Sequence, residues 1–133
     1  MTQLLEFIVK YMGFLWKDAR FKISDSVVGT SNGGDALLLV ESQTMRLQFI
    51  RDKTQLFLYF QPTVGEKRWY SVDLIRRLFT GRQEESGLLD QSYAKFIEQN
   101  LDQIERLFSS EEWESTCSDL RKLKKQRAKE LFG

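Results

Sequence analysis

The chain has 133 residues, with 20 basic and 19 acidic side chains for a formal charge of +1, and 41% hydrophobic against 29% charged residues. That balance fits one soluble globular domain with its own core and gives no global preference for nucleic acid or membrane. Histidine is absent and cysteine occurs once, at Cys117. Zinc sites built from Cys and His, triads that need histidine and any intramolecular disulfide are thereby excluded. The longest apolar run, Ala36 to Val40, is too short to span a bilayer, and the N-terminus lacks the basic region, apolar run and cleavage site of a signal peptide. With one unpaired cysteine, a reducing cytoplasm is the expected location.

In chain order, Leu4, Leu5, Ile8, Tyr11, Met12 and Leu15 recur at helical spacing, predicting an amphipathic helix over 2–17 with a weak point at Gly13. Phe21 to Val28 alternates as a first strand. Ser31-Asn32-Gly33-Gly34 then supplies residues that tolerate positive φ, suited to a reversal. Three apolar segments follow, Ala36 to Val40, Met45 to Ile50 and Leu56 to Phe60, separated by Glu41-Ser42-Gln43-Thr44 and Arg51-Asp52-Lys53-Thr54. Such runs between polar clusters predict antiparallel strands, closed by Pro62. Ser71 reads as the N-cap of a helix through Thr80, with Val72, Ile75, Leu78 and Phe79 as its buried stripe and Gly81 at C′. Arg82 to Gly87 is a charged connector and the expected flexible point. Leu89, Tyr93, Phe96, Ile97, Leu101, Ile104, Leu107 and Phe108 form a long helical stripe. Ser109 with Glu112 matches a capping box that opens the last helix, whose face runs through Trp113, Cys117 and Leu120 and thins toward Leu131. The fold class is α+β: an N-terminal helix, a four-stranded antiparallel meander, then three helices with the last two as a hairpin, in a single domain over 1–133.

Several groups invite a chemical reading. Asn32-Gly33-Gly34 has the composition of a phosphate loop, but phosphate loops open helices and this one leads into a strand, so a turn is expected. Asp35 and Glu41 bracket a buried strand in a pattern that resembles the metal-dependent nuclease signature of Asp, then Glu-x-Lys. Gln43 stands where the lysine belongs, which favours two ordinary strand-end acids over a Mg²⁺ site. Glu98, Asp102 and Glu105 lie on one helical face; di-metal helical sites add Glu-x-x-His pairs, impossible here, so a solvated acidic face is expected. Glu111, Glu112 and Glu114 suit the first turn of the last helix. Cys117, on an apolar stripe, reads as a buried small hydrophobe. No metal, cofactor or catalytic residue is expected.

The strongest charge signal is at the other end of that helix. Arg121, Lys122, Lys124, Lys125, Arg127 and Lys129 carry six cations without an acid between them, while residues 84–119 hold ten acids and two bases, a net of −8. This stretch could meet nucleic acid, or pair with the acidic segment and the helix dipole; it lacks an aromatic residue for base stacking. The sheet offers a second surface. If Met45, Leu47 and Phe49 face the core with Leu56, Leu58 and Phe60, the opposite face carries Arg46, Gln48, Ile50, Phe57 and Tyr59, with Trp69 just beyond. That face is too apolar for plain solvent. Either the N-terminal helix covers it, or a protein partner or a second copy of the chain does.

The segment Leu47-Gln48-Phe49-Ile50-Arg51-Asp52-Lys53-Thr54-Gln55-Leu56-Phe57-Leu58, followed by Trp69 and a short helix ending at Gly81, resembles small uncharacterised bacterial α+β domains with an arginine-aspartate turn between two apolar strands. Some proteins of that build are immunity proteins that neutralise a toxin by binding it. The resemblance covers residues 35–81 and implies a non-catalytic, protein-binding role without assigning any residue. The expected partner-binding residues are Arg46, Gln48, Phe57, Tyr59 and Trp69, with the basic last helix as the nucleic-acid alternative and the Mg²⁺ nuclease third.

Overall fold

The alternation of the apolar segments translates directly into sheet register. The computed structural model describes residues 1–28 and 35–133, and the expected Ser31-Asn32-Gly33-Gly34 turn lies outside them. Strands β1 (Lys22–Val28), β2 (Ala36–Glu41), β3 (Met45–Asp52), β4 (Gln55–Pro62) and β5 (Tyr70–Ser71) form one antiparallel sheet in sequence order. Helices α1 (Thr2–Tyr11) and α2 (Phe14–Lys17) precede it, and α3 (Val72–Thr80), α4 (Gln91–Leu107) and α5 (Trp113–Phe132) follow. The class is therefore α+β as read. The meander has five strands rather than four, because Tyr70 and Ser71 pair with Phe60 and Tyr59 before the chain turns into α3. Two residues are too few to show a period-two pattern in sequence.

Each turn has a local cause. Ser42 Oγ accepts from the backbone N–H groups of Thr44 and Met45, and Ser42 N donates to Met45 O, which fixes the β2–β3 reversal. Asp52 pairs with Gln55 across a two-residue loop in which Lys53 takes φ 59°, the left-handed geometry of a tight hairpin. The N-terminal helix breaks at Gly13 as anticipated, and Leu15 resumes the buried stripe in α2. Gly81 ends α3 with φ 73° and donates its N–H to Arg77 O. Asp90, not singled out in sequence, caps α4 by accepting from Tyr93 N at 2.9 Å. Within α4 the backbone kinks at Asn100, whose side-chain amide donates to Phe96 O and displaces the regular ladder.

Two expectations about helix ends and faces need correction. The Ser109–Glu112 pair does not form a capping box: residues 108–112 are turns, α5 starts at Trp113, and Ser109 contributes its carbonyl, accepting from Glu112 N and Trp113 N. Only Glu114 falls in the first turn of α5. Phe79 is not in the buried stripe of α3; it is 37% exposed and packs edge-on against Phe96. Val72 and Ile75 are buried as read, Leu78 packs half-buried against the core, and Leu74 joins them.

One hydrophobic cluster joins all layers. Leu4, Ile8, Met12 and Leu15 from the N-terminal helices meet Leu47, Phe49, Leu58 and Phe60 of the sheet, and Tyr93, Ile97 and Ile104 of α4, Phe108 of the linking turn, and Cys117 and Leu120 of α5 close it. The closest approach of α5 is to α3, where Arg77 grips Glu130 through two 2.8 Å hydrogen bonds and Arg127 holds Asp73. Every described helix thus packs into the core on one side of the sheet, and that asymmetry decides what is left for function.

Candidate functional site

The side of the sheet away from the core has no helix over it among the described residues. Register sets its side chains in three cross-strand rows. Val27, Leu37, Ile50 and Phe57 form the first; Asp25, Leu39, Gln48, Tyr59 and Ser71 the second; Lys22, Glu41, Arg46 and Gln61 the third. The surface therefore grades from an apolar row at the Lys53 hairpin end to a charged row at the Ser42 turn. None of Leu37, Leu39, Ile50, Phe57 or Tyr59 joins the hydrophobic cluster, and all are half-buried by one another rather than by a second layer. Phe57 and Tyr59 stack with ring centroids 6.4 Å apart. Arg46 is held in place, donating to Glu41 Oε2 at 3.1 Å and to Gln61 Oε1 at 3.0 Å, while Gln61 anchors to Lys67 O. Trp69 immediately precedes β5, half-buried and outside the core cluster.

The five residues singled out in sequence, Arg46, Gln48, Phe57, Tyr59 and Trp69, thus cluster on and beside this surface. The N-terminal helix does not cover them; α1 packs on the opposite side, where Gln3 bonds to Thr54 O and accepts from Arg51. Sequence reasoning missed Leu37 and Leu39. The signal was present: an unbroken Ala-Leu-Leu-Leu-Val run means both faces of β2 are apolar. A hollow of about 380 Å³ lies at the apolar end, lined by Val27, Leu37, Ile50 and neighbours.

The carboxylate candidates do not converge. Asp35 and Glu41 share a face but are six residues apart along an extended segment, about 20 Å at 3.3 Å per residue. Asp35 accepts from Lys53 N and Glu41 pairs with Arg46. A shared Mg²⁺ is geometrically impossible there. The acidic face of α4 is also partly spoken for: Arg20 bridges Asp102 and Glu105, each at 2.9 Å, and Asp18. Among the described residues no group of three or more Cys, Asp or Glu is placed to hold a metal ion.

The basic run on α5 divides in two. Arg121 and Arg127 turn inward, Arg121 to Glu66 at 2.6 Å and Arg127 to Ser71 and Asp73 at 2.8 Å. Lys122, Lys124, Lys125 and Lys129 are exposed and make no ion pair among the described residues. Cys117 is buried, and desolvation, reinforced by the Glu66 charge, pushes its thiol up to about 11. It is unreactive packing at neutral pH. The Arg82–Gly87 connector, expected as flexible, is tied down by Glu84, which accepts from Arg76 and lies against the buried Tyr93 hydroxyl.

Comparison of the chain with family models, with curated proteins and with solved structures finds no match. No described helix is long and apolar enough to cross a membrane.

Proposed function

We propose that the chain is a non-catalytic protein-binding domain, an inhibitor of the immunity type, that takes its partner on the open sheet face. One observation carries this reading: Leu37, Leu39, Ile50, Phe57 and Tyr59 form a contiguous apolar surface with no second layer among the described residues, bordered by an oriented arginine. Contiguous apolar patches rimmed by polar groups mark interaction sites, and Tyr, Trp and Arg dominate interface energetics. Arg46, already fixed by Glu41 and Gln61, loses little entropy on binding. The partner is a protein presenting an apolar centre with a hydrogen-bonding rim; the charged row at the Ser42 turn sets its orientation.

The test is retention of the partner from the source cell by tagged wild-type chain, compared with Tyr59→Ala/Trp69→Ala. The double variant should lose at least about tenfold in affinity, roughly 1.4 kcal/mol or more, at an unchanged melting temperature. Equal retention by both proteins removes the proposal. A second reading, nucleic-acid binding through Lys122, Lys124, Lys125 and Lys129, rests on their exposure without ion pairs. It requires retention on nucleic acid that collapses between low and moderate salt.

A further inference from the structure

Among the described residues the sheet has one long free edge. At one end β5 is 2 residues long and runs straight into α3, whereas at the other β1 spans 7 residues, all exposed, and pairs only with β2. A strand edge presents a row of unpaired N–H and C=O groups, and folds protect it by covering it, shortening it or placing proline on it. β1 contains no proline, and Ile23, Val27 and Val28 along it are 54%, 53% and 54% exposed. The backbone of such an edge settles what kind of occupant fits it: another extended strand.

The charges on β1 indicate which strand. Lys22 stands opposite Glu41, Ile23 opposite Val40 and Asp25 opposite Leu39, so the register shifts and Ser24 is an extra residue. In a regular strand Lys22 and Asp25, an odd number apart, would point to opposite sides. The extra residue brings both to the open side of the sheet, flanking Ile23, which shares the core side with Val40. Neither charge is in an ion pair among the described residues, and Asp25 Oδ1 is oriented by accepting from Ser26 N at 2.8 Å.

That arrangement matches itself under a two-fold rotation. Consider two β1 strands set antiparallel about an axis through Ile23 and normal to the sheet, with Ser24 of each left out of the pairing as it is against β2. Lys22 of each copy then faces Asp25 of the other, and the two Ile23 side chains meet at the axis. Opposite charges and apolar side chains directly across from one another stabilise strand pairs, and self-matching is what an isologous interface requires. An axis through Asp25 would instead oppose two carboxylates.

We propose that the free edge of β1 pairs with β1 of a second copy of the chain, joining two five-stranded sheets into one of ten strands. The axis is normal to the sheet, so both open faces lie on the same side and neither is covered. The pairing does not rest on the partner-binding role proposed for that face. A single strand pair buries less than the ~1,200 Å² of a standard interface, so the dimer is weak and reversible.

The experiment is sedimentation velocity on the full chain at low salt, up to about 1 mM. Wild type should pass from monomer to dimer with a dissociation constant on the order of 10–100 µM. Lys22→Glu and Asp25→Lys each set like charges across both pairs and should raise that constant by about tenfold or more. Lys22→Glu/Asp25→Lys restores the pairs in reverse and should return it to within about threefold of wild type. Ile23→Lys, which opposes two cations at the axis, should leave a monomer. All three positions are exposed, so native amide dispersion is expected in every variant, and retention of a partner on the open face should be unchanged. Wild type that stays monomeric throughout overturns the proposal, as does a dimer indifferent to the single reversals or a double variant no better than either. A dimer lost in Phe57→Asp but kept in Ile23→Lys would put the second copy on the open face and overturn it equally.

Discussion

Gly65 shows how one residue can carry a tertiary contact invisible in its own neighbourhood. It sits at φ +83°, and a Cβ there would lie 2.4 Å from the Trp113 ring, so the indole of α5 rests directly on the backbone of the 63–68 loop. Gly65→Ala combines strained backbone with overpacking and should cost about 2–4 kcal/mol in urea unfolding. A loss below ~1 kcal/mol would mean that the ring swings aside freely. Glu66, its neighbour, behaves differently. Burial by itself would raise its pKa, but bonds from Arg68 N and Tyr70 and the charges of Arg68 and Arg121 outweigh that, and the carboxyl titrates below its ordinary value of 4.5. A carboxyl with a depressed folded-state pKa stabilises the protein above its unfolded value, and that contribution disappears as pH falls through the folded value. Stability should therefore drop as pH falls below about 4.5. Glu66→Gln should be less stable at pH 7 and show a shallower acid limb in urea midpoints.

At the scale of elements, local chemistry was legible wherever it is self-contained. The break at Gly13, the Ser42 turn, the closure of β4 at Pro62 and the Gly81 terminus all follow from residue type and position, because each is settled within about five residues. Gly81 has nothing within 4 Å of its absent Cβ, so only φ 73° requires it. Gly81→Ala should accordingly cost about 1 kcal/mol with no change in any other property, measured as a shift in urea midpoint. The failures have a common origin. Ser109-x-x-Glu112 carries the composition of a capping box, yet the chain between α4 and α5 must cover Phe60 with Phe108 before it can turn, and the helix starts later. Ser71 is the N-cap residue of α3, as read, but its hydroxyl accepts from Arg127, 56 residues away, instead of bonding the first turn, and its backbone joins a fifth strand. No local pattern encodes such a partner.

For the whole molecule, the decisive feature is that all the described helices pack on one side of the sheet. Phe49 and Phe60 are fully buried beneath them, whereas Phe57 and Tyr59 stand on the uncovered side. Phe60→Ala should lose about 3–5 kcal/mol, while Phe57→Ala should stay within about 1 kcal/mol of wild type despite an identical change in chemistry. Denaturation of the two variants side by side checks this. Similar losses would place a further layer on the second face and leave no docking surface. The five residues named for binding were legible because β3 and β4 alternate cleanly. Leu37 and Leu39 were hidden in a continuous apolar run, and the shared side of Lys22 and Asp25 was beyond reach because the irregularity at Ser24 exists only in the pairing of β1 with β2.

Sequence alone determined the α+β class, the strand and helix order and the lack of histidine chemistry, since periodicity, turn residues and composition act over short distances. The tertiary structure decided which sheet face is covered, which of the six cations of α5 are spent internally, and that Asp35 and Glu41 never meet. Those outcomes depend on helix placement and on the length of a strand in space, quantities fixed by burial of one shared core and by long-range pairing of charges rather than by any local run of residues.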